Sequence, residues 1–199
     1  MPTPSLSKDT VWFNNWIPDH SCLKVEDLTR VEVDTRKKMR PTHKFFKENV
    51  PEFEDSFILD TASQLGTRGS RRLVGEHILT EDEIRSGKIF KDTIALFPPR
   101  SFNASEDAPN RCIPFKSLVP CRIKNLLVAG RCFSSDLVAN EIMNLIPPCV
   151  TMGEAAGTAA ALAVKSGVIP KEVDDETLYH RLRDQNVPLP EIENVSNRG

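Results

Sequence analysis

From Val25 onward, Leu28, Val31, Thr35, Met39, Thr42 and Phe46 recur at steps of three and four, with Glu, Lys and Arg between them. That period predicts an amphipathic helix. Pro41 falls inside the run and is expected to end or kink it, because proline lacks the amide donor and crowds the preceding turn. Shorter runs follow. Ser56–Thr61, Arg72–Leu79 and Phe90–Phe97 read as strands, and Thr80 to Glu83 (TEDE) is a capping-box signature that opens a short helix. Residues 98–111 form a polar loop carrying Asn103, Ser105 and Asp107. Ile113–Pro120 (IPFKSLVP) is strand-like, and Asn125–Gly130 (NLLVAG) has the form of a buried strand in a parallel sheet. After a loop, Pro147-Pro148 lead into CVTMGEAAGTAAALAVKSG, a stretch rich in Ala and Gly that predicts a buried helix ending at Gly167. A last helix is capped by Asp174 and presents Leu178 and Leu182 on one face. The Pro-rich tail after Asn186 is expected to be mobile. Near the start, Trp12, Phe13 and Trp16 form an aromatic cluster suited to anchoring a loop on a core.

Composition narrows the function classes. The chain of 199 residues has a formal net charge of -2, so it lacks the basic surplus of a nucleic-acid binder. No apolar run reaches the roughly 18 residues of a membrane span, and Met1–Asp19 lacks the pattern of a signal peptide. The expectation is a soluble cytoplasmic protein with no membrane contact. Five scattered cysteines, Cys22, Cys112, Cys121, Cys132 and Cys149, contain no C-x-x-C pair, which argues for reduced thiols over a disulfide framework or a zinc site.

A buried strand, a Gly-containing turn and a helix of small residues together make a place where a large flat ligand can approach the backbone. Many α/β units share that arrangement without binding anything. The wording here is more specific. NLLVAGRCFSSD followed by IPPCVTMGEAAGTAAALAV resembles the closing segment of FAD-dependent oxidoreductases related to fumarate-reductase-type flavoproteins. LGTRGSRRLVGEHILTEDEI resembles that family's Arg-rich strand, and IPFKSLVP the strands before its last FAD contact. The resemblance runs from about Val25 to about Asn186.

It implies an α/β fold, in part α+β: the C-terminal portion of a two-domain, Rossmann-like flavoprotein. Residues 1–120 would belong to the substrate or cap domain, 121–172 to the closing strand and helix of the FAD domain, and 173–199 to a C-terminal helix and tail. Ala129, Gly130 and Arg131 would line the cofactor, with Asp136 near its ribityl or phosphate. Thr151, Met152 and Gly153 would offer amides at a helix N-terminus, favouring the negative charge that flavin gains on reduction. Arg68 and Arg71 are candidates to hold a substrate carboxylate through their forked donors. Adjacent Arg71 and Arg72 on a strand face opposite ways, so one of them at most would serve. Structural ion pairs are the competing role for all three. His77 is a candidate proton donor, although a lone strand histidine is often structural.

Two departures stand against the carry-over. Asn144 occupies a place where the family often has Arg. No G-x-G-x-x-G occurs in the chain, so the element that holds the ADP half of FAD is missing. The expectation is therefore an enzyme incomplete as a single chain, working with a separate N-terminal half or by self-association. FAD and a small-molecule substrate would be its ligands. The other reading is a non-catalytic remnant or binding subunit that keeps the fold without the cofactor.

Overall fold

The computed structural model describes residues 2–5, 7, 9–14, 17, 20–99 and 108–191. Trp16, the loop positions Asn103, Ser105 and Asp107, and the last eight residues of the tail lie outside the described residues. Two compact units divide the chain, Met1–Ser70 and Arg71–Gly199.

The first unit holds two short antiparallel strands, β1 (Pro2–Pro4) and β2 (Val11–Phe13), and one long helix, α1 (Val25–Asn49). The predicted helix is present, but it runs through Pro41 instead of stopping there. Proline costs this helix one hydrogen bond, to the Lys37 carbonyl, and both residues are exposed, so water can take that carbonyl. Phe13 does anchor the N-terminal segment: its ring centroid lies 4.7 Å from that of Phe46, which lies 5.5 Å from that of Phe53. Trp12 does not join them and is largely exposed. Ser56–Thr61 is not a strand. It has no ladder partner and is clamped by Arg36, whose guanidinium donates to Thr61 Oγ1 at 3.0 Å and to the Ala62 carbonyl at 2.8 Å.

The second unit carries the core. Its elements are α2 (Glu81–Arg85), β3 (Thr93–Phe97), β4 (Arg111–Pro114), α3 (Leu137–Met143), α4 (Ile146–Ser166) and α5 (Asp175–Asp184). β3 and β4 pair antiparallel with an irregularity between Thr93 and Ala95. The residues after β4 do not extend the strand: Phe115–Leu118 turn into a single 3-10 turn. Ile94, Ile113, Phe115, Leu118, Phe133, Met152 and Leu182 are fully or almost fully buried at the centre.

Mixed helix and strand content with a small sheet is the observed architecture. Among the described residues there is no parallel sheet, and Asn125–Gly130 is not a strand. Among the described residues its only amide bonded to a distant segment is Val128 N–H, to the Leu118 carbonyl at 2.9 Å. The Gly130 carbonyl accepts locally from Phe133 N–H at 3.0 Å, and Leu126 is 41% exposed. An apolar run becomes a strand only when flanking strands satisfy its amides, and here none lies beside it. Residues 131–146, read as a loop, contain α3. The chain beyond Asn186 is packed as far as Pro190: Leu96 N–H donates to the Pro188 carbonyl at 2.9 Å and the Tyr179 hydroxyl to that of Pro190 at 2.9 Å.

Candidate functional site

Residues 72–79, expected to be a strand, bend at Glu76 and His77 and make only isolated bridges at Gly75 and Leu79, in an irregular weave instead of a sheet. Their amides are satisfied from both sides. Leu73 N–H donates to the Cys132 carbonyl at 2.8 Å, Glu76 N–H to that of Val119 at 2.9 Å, and Leu79 N–H to that of Ser134 at 3.2 Å. Gly75 sits where the strands of this weave cross most closely. A Cβ there would stand 2.8 Å from the Ser134 Cβ and 3.0 Å from the Lys116 carbonyl oxygen. The sequence requires glycine at this point for space.

This weave brings three sequence-distant stretches together. Through the Leu73 bond to Cys132, the extended stretch that follows Arg71 and Arg72 is tied to the residue after the turn Ala129–Arg131. Gly130 takes a left-handed backbone (φ +91), and no heavy atom lies within 4 Å of where its Cβ would be, so the turn is tight and open on that side. Arg131 then reaches the C-terminal end of α3: its Nε donates to the carbonyl of the C-cap residue Asn144 at 3.1 Å, while Asn140 Nδ2 donates to the Arg131 carbonyl at 2.9 Å. A guanidinium thus stands against position 144 even though the residue there is Asn. Asn144 Oδ1 is buried with no hydrogen-bond partner. Arg68 belongs to the first unit.

The head of α4 differs from the expectation. The helix begins at Ile146, so Thr151, Met152 and Gly153 lie in its second and third turns. Their amides donate to carbonyls four residues back and are not free for a ligand, which corrects the role read for them from sequence. Pro147 and Pro148 fill the first turn, where their missing donors cost nothing. Met152 points into the core. Gly153 is on the opposite, exposed side with open space where a Cβ would be.

Asp136 has structural work. Oδ1 accepts the Ala139 amide at 2.8 Å as the N-cap of α3, and Oδ2 accepts the Glu81 amide at 2.7 Å in the first turn of α2. One carboxylate therefore caps two helices. Sequence reasoning missed this, because nothing local links positions 81 and 136.

His77 lies at the bend after Gly75, where its amide donates to the Lys116 carbonyl at 3.2 Å. Its Nε2 is 2.9 Å from Glu83 Oε2, and its ring packs edge-on against Phe90. Glu83 also takes Lys88 Nζ at 2.8 Å and the Thr80 amide at 3.1 Å, completing the predicted capping box. Partial burial opposes ionisation of Glu83, but hydrogen bonds from Lys88, His77 and the Thr80 amide outweigh it and hold the carboxyl at about 2. The structure gives His77 a place in a helix-capping network.

Burial pushes the Cys112 thiol up to about 11 and raises that of Cys149, so neither is poised as a nucleophile. All five cysteines are free. Among the described residues no group of His, Cys, Asp or Glu could hold a metal, and no helix is long and apolar enough to cross a membrane. A cleft of about 170 Å³ lies at Ile84, Arg85 and Arg111, and a groove of about 390 Å³ between α4 and α5. Neither is lined by Ala129, Gly130 or Arg131. The turn at Gly130 is open on the side where a Cβ would stand, whereas Asn144 Oδ1 is buried beside the Arg131 bridge.

Comparison with known proteins gives one match: the family model described as FAD dependent oxidoreductase covers residues 3–185. No curated protein and no solved structure matches the chain.

Proposed function

The chain belongs to the FAD dependent oxidoreductase family, whose cofactor is FAD, and we propose that its residues 121–172 form the second wall of the cofactor site. When bound, FAD supplies the hydride chemistry. The observation that carries the reading is the meeting of Leu73, Gly130–Cys132 and Asn144, tied by the Leu73 and Arg131 hydrogen bonds.

In this reading the Ala129–Arg131 turn contacts the cofactor through backbone, since the left-handed glycine lets the chain approach without a side chain in the way. Arg131 fixes the turn against the C-terminal end of α3 and stands in for the arginine missing at position 144. Gly153 leaves the outer face of α4 bare beside them. Asp136 positions α2 and α3 without touching the ligand. Arg71, two residues before Leu73, would orient an anionic substrate group. His77 is not needed in this scheme, because its Nε2 already faces Glu83.

The cradle for the ADP half would come from a separate dinucleotide-binding chain carrying G-x-G-x-x-G, since no such motif occurs in this sequence. The competing reading is a subunit that keeps the fold without the cofactor. Two variants separate them. In the assembled enzyme, Arg131→Ala should lower flavin content. Arg71→Ala should leave flavin in place and raise KM for an anionic substrate by roughly ten- to a hundredfold. Unchanged flavin content in Arg131→Ala would remove the basis for the wall.

A further inference from the structure

Helix α2 puts a carboxylate and a guanidinium one turn apart, and Arg85 Nε donates to Glu81 Oε1 at 2.6 Å. The segment that leads into β4 folds back against the end of this helix. Gly87 takes a left-handed backbone (φ +66) there. A Cβ at Gly87 would overlap the Pro109 Cβ and stand 3.2 Å from the Asn110 carbonyl oxygen, so glycine lets the two segments close. On the other side Asp136 holds α2 against α3 by accepting the Glu81 and Ala139 amides. Between these pinned pieces lies the cleft of about 170 Å³, lined by Ile84, Arg85, Ala108, Pro109, Arg111 and Ile142.

Two cations line this cleft with no carboxylate to neutralise the second. The Arg111 side chain forms no hydrogen bond and no ion pair among the described residues. Glu81 takes only the Nε of Arg85. Burial holds the Arg111 pKa below its usual range, and the like charge of Arg85 lowers it further. An anion between the two guanidiniums would relieve that repulsion, and their forked donors match the two oxygens of a carboxylate. The rest of the lining is apolar. Ile84 is 2% exposed and Ile142 packs on the core, so a ligand that fills the cleft needs an apolar body as well as a charge. The volume is close to that of a cavity of about 150 Å³ that holds one benzene ring.

We propose that the cleft between α2, α3 and the start of β4 binds a small organic carboxylate, with its oxygens on Arg85 and Arg111 and a body about one ring in size against Ile84 and Ile142. The site does not depend on the flavin reading, because neither the Gly130 turn nor Arg131 takes part in it.

Calorimetric titration of the full chain, without added flavin, tests it with three probes. Benzoate should bind. Benzamide keeps the ring without the charge, inorganic phosphate keeps the charge without the ring, and each should bind at least about tenfold more weakly. Arg111→Gln should weaken benzoate by about ten- to a hundredfold. Arg111→Lys, which keeps the charge and loses the fork, should fall between the two. Amide chemical shifts at Ile84, Arg111 and Ile142 should move on addition of benzoate. A native chain that does not bind benzoate, or binds phosphate or benzamide as tightly, would overturn the proposal. So would a folded Arg111→Gln chain with undiminished benzoate affinity. Should Arg111→Gln fail to fold, the ratio of benzoate to benzamide affinity in the native chain decides by itself.

Discussion

Two carboxylates at the residue scale hold the second unit's helices, and they differ in how far the sequence reveals them. Glu83 sits in a motif three residues from its partner Thr80, so its role is legible from local spacing. Its carboxyl is held at about 2 against an ordinary 4.5. A depressed carboxyl contributes stability that is complete above its unfolded pKa and is lost as pH falls through the folded one. Glu83→Gln should therefore lower unfolding free energy at neutral pH by about 1–2 kcal/mol. The difference should shrink as pH falls from 4.5 toward 2 in urea titrations of both proteins. Asp136 is legible only as an N-cap candidate. Its second partner, the Glu81 amide, is brought to it by tertiary folding. Asp136→Ala should cost about 2 kcal/mol, one cap's worth at each of two helices. A loss typical of a single cap would show that the α2 contact contributes nothing. His77 illustrates the limit of reading chemistry from residue type: the side chain suggested a proton donor, and the fold pairs it with the capping carboxylate.

Elements that carry their own signals are where pattern and structure agree best. Helix α4 stops at Gly167, which takes a left-handed backbone (φ +67) and lets Val168 N–H reach the Ala163 carbonyl at 3.1 Å. Helix α5 begins at Asp174, whose carboxylate accepts the Thr177 amide at 2.8 Å. Strands fared worse, because a strand is completed by neighbours that local pattern does not contain. Residues 72–79 alternate well, yet their amides bond to turns and irregular segments. Asn125–Gly130 has a strand's composition without a strand's partners. Glycines divide in the same way. Gly75→Ala should cost about 1–3 kcal/mol, because its Cβ would press on the Ser134 Cβ and the Lys116 carbonyl. Gly157→Ala meets no such contact and should raise thermal stability by about 0.5–1 kcal/mol. Destabilisation there would mean that the outer face of α4 already packs against something within the chain.

For the whole molecule, the resemblance read from NLLVAGRCFSSD and IPPCVTMGEAAGTAAALAV agrees with the family match over residues 3–185. The order of motifs was enough to indicate an FAD-dependent oxidoreductase. The arrangement of the candidate site was only partly legible. The turn at Gly130 and the small-residue helix were readable, but the bond from Arg131 to the C-cap of α3 depends on residues 137–143 folding into that helix. The amides assigned to Thr151–Gly153 failed because the helix begins at Ile146, ahead of the small-residue stretch that marks it by composition. On the surface stand one open turn, at Gly130, and an exposed face of α4 that includes Val150 and Val164.

The most direct test is the visible absorbance of the purified chain, alone and co-expressed with a dinucleotide-binding chain that carries G-x-G-x-x-G. Flavin should co-purify with the assembled pair, be weak or absent in the chain alone, and fall when Arg131 is replaced by alanine. A pair that assembles stoichiometrically and carries no flavin would contradict the assignment of residues 121–172 as the second wall of the cofactor site.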